Sequence, residues 1–259
     1  LGMGFVIQFM FELELGLALL ISTVFSAVYV WNGGFRAVVR TDLIQFILMF
    51  AGFFILLGYL WHNIQSPILM IKDLPDSYLD PLGGNTLQYI LAWFFLAAWT
   101  FIDPGFFQRC AAAKTPEMAQ RGILISILFW AIFDCLTITC ALYAVGTIQP
   151  GQAALTFPLL ALDLLPIGFF GLFMTGIIAT LMSTIDSLGL LSAISFGRDI
   201  LWRIQSDNRK MDTVPFIRKG LVIISFLSLV LAFLLPSIVQ LFYAIGSVLI
   251  PGLILPFLN

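Results

Sequence analysis

The chain has 259 residues and a formal net charge of −2; 61% of its residues are hydrophobic and only 10% are charged. With a mean hydropathy of +1.05, it lies far outside the range of soluble globular domains and reads as an all-α membrane protein, with the lipid bilayer as a partner and no nucleic acid. Cys110, Cys135 and Cys140 have no metal-ligand spacing and the single histidine, His62, lies at a helix end, so packing or an interface is favoured for all four over cysteine or histidine chemistry.

Leu1–Phe11 is apolar but too short to cross a bilayer. It has no basic n-region and no small-residue cleavage site, so it is expected to be the second half of a helix and not a signal peptide. Six runs long enough to span follow, roughly Leu15–Val30, Leu43–Trp61, Leu87–Phe107, Gly122–Val145, Pro166–Leu191 and Ile217–Leu235, with a seventh at Ser237–Phe257. The expectation is a multi-span helical bundle in one transmembrane domain, 1–259, itself an internal piece of a longer protein. Asn32-Gly33-Gly34 should end one helix, while Pro81-Leu82-Gly83-Gly84 and Gln149-Pro150-Gly151 mark outer connections.

Eleven of the twelve Lys and Arg lie on alternate loops: Arg36 and Arg40; Arg109, Lys114 and Arg121; Arg198, Arg203, Arg209, Lys210, Arg218 and Lys219. Only Lys72 lies on the other side. Basic residues accumulate on cytoplasmic loops, which places 32–42, 108–121 and 198–219 on the cytoplasmic side of a cell (plasma or inner) membrane. The outer stretch from His62 to Thr86 carries Asp73, Asp76 and Asp80, as a solvated loop or as a vestibule that attracts cations.

Acids within spans are costly, roughly 2.5–3.5 kcal/mol each on insertion scales, and invite functional readings. Asp42 follows Thr41 at a helix entrance, where it is a cap, a group near an ion exit, or both. Asp103 precedes Pro104-Gly105 and is either a helix break or a binding group. Asp134 lies mid-span beside Thr137, as a hydrogen-bonded acid or a transport group. Thr180, Ser183, Thr184 and Ser187 fall at i, i+3, i+4 and i+7 and put four hydroxyls on one helical face. Asp186 stands beside that face, about 100° away per residue step, lining the same cavity or pairing elsewhere.

Hydroxyls facing lipid lose hydrogen bonds that hydrocarbon cannot replace. The face therefore meets protein, as helix packing, water or an ion. A hard monovalent cation such as sodium prefers neutral oxygens, and Ser183, Thr184 and the Thr180 carbonyl supply three within one turn. Discontinuous helices at the bilayer midplane complete such sites in secondary transporters. No nucleophile–base pair and no phosphate cradle is present, which disfavours an enzyme.

The stretch from Gly33 to Gln45, GGFRAVVRTDLIQ, resembles the GG-x-x-A-V-x-x-T-D-x-x-Q signature of the sodium:solute symporter family. Gln108-Arg109 with Ala112-Ala113-Lys114 and Ala119 resembles that family's loop, and Ala179–Thr184 with Asp199-Ile200 resembles its sodium-site helix. This resemblance implies an incomplete five-plus-five inverted-repeat core of the leucine-transporter-like kind, whose first core helix lies outside this sequence; the chain alone is not expected to transport. It implies sodium-coupled symport of a small solute by alternating access, with sodium as coupling ion and no organic cofactor. Thr180 would give a carbonyl and Ser183 and Thr184 their hydroxyls to sodium, with Asp42 and Asp186 on the ion pathway. Trp99 falls where the family's sugar transporters carry a gating Tyr, Leu96 where they carry a sugar-contacting Asn and Trp130 where they carry a Lys. Trp99 and Asp103 are then the expected substrate contacts, with a sugar disfavoured. The alternative is a symporter-like sensory input domain of a membrane-bound histidine kinase.

Overall fold

The computed structural model describes residues 1–145, 153–205, 212–235 and 237–258. Among them every regular element is helical. The chain order is α1 (Gly2–Phe11), α2 (Leu15–Asn63), α3 (Pro67–Asp73), α4 (Asp76–Leu79), α5 (Leu87–Leu96), α6 (Trp99–Ile102), α7 (Pro104–Ala111) and α8 (Pro116–Leu142). After a short 3-10 turn at Ala153–Leu155 come α9 (Thr156–Leu164), α10 (Ile167–Ile194), a π-helical stretch Ser195–Trp202, α11 (Arg203–Gln205), α12 (Val214–Leu234) and α13 (Ile238–Leu258). Four of the described helices are long and apolar enough to cross a membrane, or five if the bent pair at the start of the chain is one span.

Capping chemistry explains where several of these helices begin. Ser66, Thr86 and Thr115 accept a bond from the backbone amide three residues on. Proline follows Ser66 and Thr115 at the first helical position, where its missing N–H costs nothing. Pro166 itself stands at the N-cap of α10, which has no side-chain cap.

One expected break holds and one expected span differs. The helix expected to end at Asn32-Gly33-Gly34 does break there: within α2, Gly34 takes the non-helical φ 61 and ψ 175, a conformation essentially reserved for glycine, and it separates Leu15–Trp31 from Ala37–Asn63. Residues 37–42 of the expected loop lie in the second of these helices. Leu87–Phe107 is three short helices instead of one span. At Ala97-Ala98 the amides bond to carbonyls three residues back, Ala97 to Phe94 at 3.1 Å and Ala98 to Phe95 at 3.0 Å, which tightens the turn. Pro104 then ends the run, because it lacks an amide and disfavours helix at the preceding residue. Between α1 and α2 the chain bends by 117° through Glu12 in the left-handed region. The Gln149-Pro150-Gly151 connection lies outside the described residues.

The chain forms two compact units. In the first, Leu1–Tyr59 with Ile148–Pro236, α2 packs along α10. Glycine makes this approach close: a Cβ on Gly176 would lie 2.7 Å from the Leu48 carbonyl oxygen, and one on Gly52 would lie 3.5 Å from Phe173. Phe53 meets Phe157 and Phe173 edge-on, with centroids at 5.0 and 5.4 Å. Val30, Val38, Leu190, Ala193 and Leu221 form a buried cluster where α2, α10 and α12 converge. Gly197 and Gly220 let the π-helical stretch and α12 touch backbone to backbone, the small-residue packing that membrane helices favour.

In the second unit, Leu60–Thr147 with Ser237–Asn259, α3 contacts α8, and α13 contacts α5 and α6. Tyr143 donates its hydroxyl to the Gln65 carbonyl at 2.7 Å, and Trp93 stacks obliquely on Tyr243 at 5.7 Å.

Candidate functional site

On α10 the hydroxyl face forms as the spacing predicts. Thr180 donates back to the Gly176 carbonyl at 2.8 Å, and Thr184 donates to the Thr180 carbonyl at 3.2 Å. The Thr184 hydroxyl oxygen and the Thr180 carbonyl oxygen are thereby neighbours on one turn, the arrangement one small cation can share. Ser183 behaves differently. Its hydroxyl leaves the helix and donates to Asp42 Oδ1 on α2 at 2.7 Å, across 141 residues of sequence. A donating hydroxyl keeps oxygen lone pairs available to a cation, so Ser183 and Asp42 together present oxygen at the α2–α10 seam.

Asp42 sits inside the second arm of α2, which begins at Ala37, and not at its N-cap. The preceding Thr41 bonds back to the Ala37 and Val38 carbonyls at 3.1 and 3.0 Å, as hydroxyls within helices do. This leaves the Asp42 carboxylate directed across the seam to Ser183.

Asp186, one turn beyond Ser183, is fully buried at 0% exposure. The Asp42 carboxylate and the Gln45 side chain bear on it, yet neither of its oxygens completes a hydrogen bond. The Gln45 carbonyl oxygen is likewise buried without a partner. Gln45 enters the sequence reading only as the last letter of a motif. The available signal is its i+3 spacing from Asp42, which puts both on one face of α2.

Trp99 and Asp103 occur together in the second unit. Asp103 caps α7, its Oδ1 accepting from the Gly105 and Phe106 amides, while Oδ2 accepts from the Trp99 indole N–H at 3.0 Å. The carboxylate is thus a helix cap that also fixes the Trp99 ring. Leu96 is buried, and Trp130 is exposed with its ring 6.3 Å from Phe106. Asp134 is exposed on α8 and not a buried hydrogen-bonded acid. Among the described residues no group of three or more His, Cys, Asp or Glu gathers to hold a metal.

In the outer stretch, Asp73 accepts from Gln65 at 3.1 Å. Asp80 accepts from the Leu82 and Gly84 amides at 3.0 and 2.9 Å. Those amides, Leu82 foremost, hold the Asp80 carboxyl below its ordinary value of 3.8.

The chain is similar to several transporters. It is 28% identical to a sodium/pantothenate symporter of Haemophilus influenzae over 198 residues, covering 71% of this chain and 40% of that protein. Against sodium/glucose cotransporter 1 of Ovis aries the identity is 25% over 247 residues, with 74% and 36% covered. Against sodium/myo-inositol cotransporter 2 of Mus musculus it is 27% over 242 residues, with 76% and 35% covered. The chain therefore spans well under half the length of these relatives. No solved structure matches it. The sequence model of the sodium:solute symporter family matches residues 1–258, with the Asp42 and Ser183 segments that meet at the α2–α10 seam inside the match, and the chain belongs to that family.

Proposed function

We propose that the protein carrying this chain couples the downhill movement of sodium to uptake of a small solute across the plasma membrane by alternating access. The observation that carries this reading is the Ser183–Asp42 hydrogen bond at 2.7 Å, which joins the hydroxyl face of α10 to an acid on α2 in a chain of the sodium:solute symporter family. Sodium takes the Thr180 carbonyl and the Ser183 and Thr184 hydroxyls, and leaves toward the cytoplasm past Asp42 and Asp186. The whole chain belongs to one transporter domain, an incomplete five-plus-five inverted repeat, with 32–42, 108–121 and 198–219 cytoplasmic by their excess of Lys and Arg.

Coupling is energetically sufficient. One charge moving through 100 mV releases about 2.3 kcal/mol, and a tenfold sodium gradient adds about 1.4. Together these support accumulation of roughly 500-fold per sodium. Sodium shifts the alternating states only through its differential affinity for them.

Trp99, held by Asp103, is the proposed solute contact. Pantothenate, glucose and myo-inositol stand in the names of relatives. The Trp at 99 and Leu at 96 favour an organic acid, amino acid or quaternary amine over a sugar.

A thermal-shift titration of the full-length protein in detergent, in sodium against potassium chloride, tests the ion assignment. The expected stabilisation approaches about 2.7 kcal/mol at a hundredfold excess over Kd and is lost in Ser183→Ala and Thr184→Ala. Equal melting in both salts, with variants like wild type, overturns it. Uptake into proteoliposomes then screens solutes, with glucose and myo-inositol as the sugar arm.

A further inference from the structure

The Lys- and Arg-rich end of the first unit holds more cations than its acids engage. Arg40 on α2, Arg198 in the π-helical stretch, Arg203 on α11, and Arg218 and Lys219 on α12 are exposed. The elements around them converge on the buried cluster of Val30, Val38, Leu190, Ala193 and Leu221. A Cβ on Gly220 would lie 2.8 Å from the Gly197 amide nitrogen, so Arg198 and the pair Arg218-Lys219 flank one close helix crossing. The described acids in these segments are Asp42, Asp199 and Asp212. Asp42 accepts from Ser183 at 2.7 Å, and Asp212 accepts from the Val214 amide at 3.1 Å.

Aromatic rings already position two of the cations. The Arg218 guanidinium carbon lies 5.1 Å from the centre of the Trp31 ring, and the Lys219 Nζ lies 5.5 Å from that of Phe216. A guanidinium laid over a ring spends its face on the contact and keeps its in-plane N–H donors, whose fork matches two phosphate oxygens. Trp31 is itself exposed, and an exposed indole at the end of a membrane helix settles at the depth of the lipid headgroups. It therefore holds Arg218 at that depth. Apolar side chains alternate with the other cations: Ile200 is 46% exposed and Ile204 77%, beside Arg198 and Arg203. A soluble anion has no use for these, whereas an acyl chain covers them.

We propose that this end of the first unit is a binding site for an anionic phospholipid. Arg218, fixed by Trp31, and Arg198 take the headgroup phosphate, and Ile200 and Ile204 lie against the acyl chains. Charge selects the lipid: each Lys or Arg near the surface strengthens attachment to anionic headgroups about fivefold, and a zwitterionic headgroup offers no net charge to meet them. The site is separate from the hydroxyl face. It rests on these helices crossing a membrane and not on the sodium reading.

The test is titration of the delipidated full-length protein in detergent with phosphatidylglycerol or phosphatidylcholine, read by native mass spectrometry of retained lipid and by thermal unfolding. The expected result is retention of phosphatidylglycerol at concentrations where phosphatidylcholine is lost, with a rise in Tm. Arg198→Gln and Arg218→Gln should each weaken retention about fivefold. Trp31→Leu, which leaves every charge in place, should weaken it about threefold by releasing Arg218. If Trp31→Leu fails to fold, Arg218→Lys decides the same point, since it keeps the charge and loses the fork, and a similar weakening is expected. Lys114→Gln and Arg121→Gln, which remove basic residues of the second unit, should leave retention unchanged. Equal retention of the two lipids overturns the site. So does a loss in Lys114→Gln and Arg121→Gln as large as in Arg198→Gln and Arg218→Gln, which would mean diffuse surface charge. Displacement of the lipid by an equal concentration of glycerol phosphate or inorganic phosphate would make the ligand a free anion and overturn the lipid assignment. The sodium reading stands or falls separately, on the loss of the sodium shift in Ser183→Ala and Thr184→Ala.

Discussion

Asp186 and Asp103 are both carboxyl groups set in apolar sequence, and they meet opposite fates. Asp103 sits where proline breaks a helix, and the freed amides of Gly105 and Phe106 together with the Trp99 indole satisfy it. Asp186 sits in the unbroken α10, whose amides are occupied within the helix, and is buried with both oxygens unpaired. A helix break supplies its own donors to an acid, whereas an intact helix supplies none and leaves the acid to tertiary neighbours or a ligand. The first arrangement builds structure; the second holds a demand in reserve.

The largest effect that separates the two regions comes from the glycine seam. A valine at Gly176 would drive its Cβ against the Leu48 carbonyl, 2.7 Å away. Backbone cannot swing aside as a side chain can, so Gly176→Val should cost about 3 kcal/mol of stability and separate Ser183 from Asp42. Thermal unfolding in detergent measures the first and loss of sodium-specific stabilisation the second. A variant with normal melting and normal sodium response would mean that the seam relaxes freely.

Breaking the satisfied acid should do less, and independently of sodium. Asp103→Ala removes a cap and the indole's acceptor at once and should cost about 1–2 kcal/mol, with Trp99→Phe costing about 1. If Asp103 is mainly a cap, the melting temperature falls equally in sodium and potassium. A loss confined to solute uptake would instead make it a direct binding group.

The smallest effect is a pH dependence in the outer turn. Because the folded Asp80 carboxyl is held below 3.8, its contribution to turn order is present above that pH and lost as pH falls through the lower folded value. Amide exchange at Leu82 and Gly84 should accelerate there and be insensitive to pH in Asp80→Asn, apart from intrinsic exchange chemistry. Identical protection in both proteins would mean that Gly83 and Gly84, with φ 57 and 73, set the turn without the carboxylate.

Composition and periodicity alone determined that the chain is helical and membrane-spanning, because a run of apolar residues has only one economical way to satisfy its backbone in hydrocarbon. Local chemistry likewise made the start of α10 at Pro166 and the hydroxyl stripe of α10 legible, since each depends on residues within a few positions. The break inside α2 was legible in Gly33-Gly34, but its angle was not. Nor was the division of Leu87–Phe107, where the tightening at Ala97-Ala98 has no turn residue to announce it. Only tertiary structure decided that Ser183 reaches Asp42 rather than its own helix, and that Asp186 and Gln45 are left with unpaired oxygens. Those outcomes depend on which face of α10 the glycines at 52 and 176 bring against α2, a contact between residues more than a hundred positions apart that no local pattern encodes.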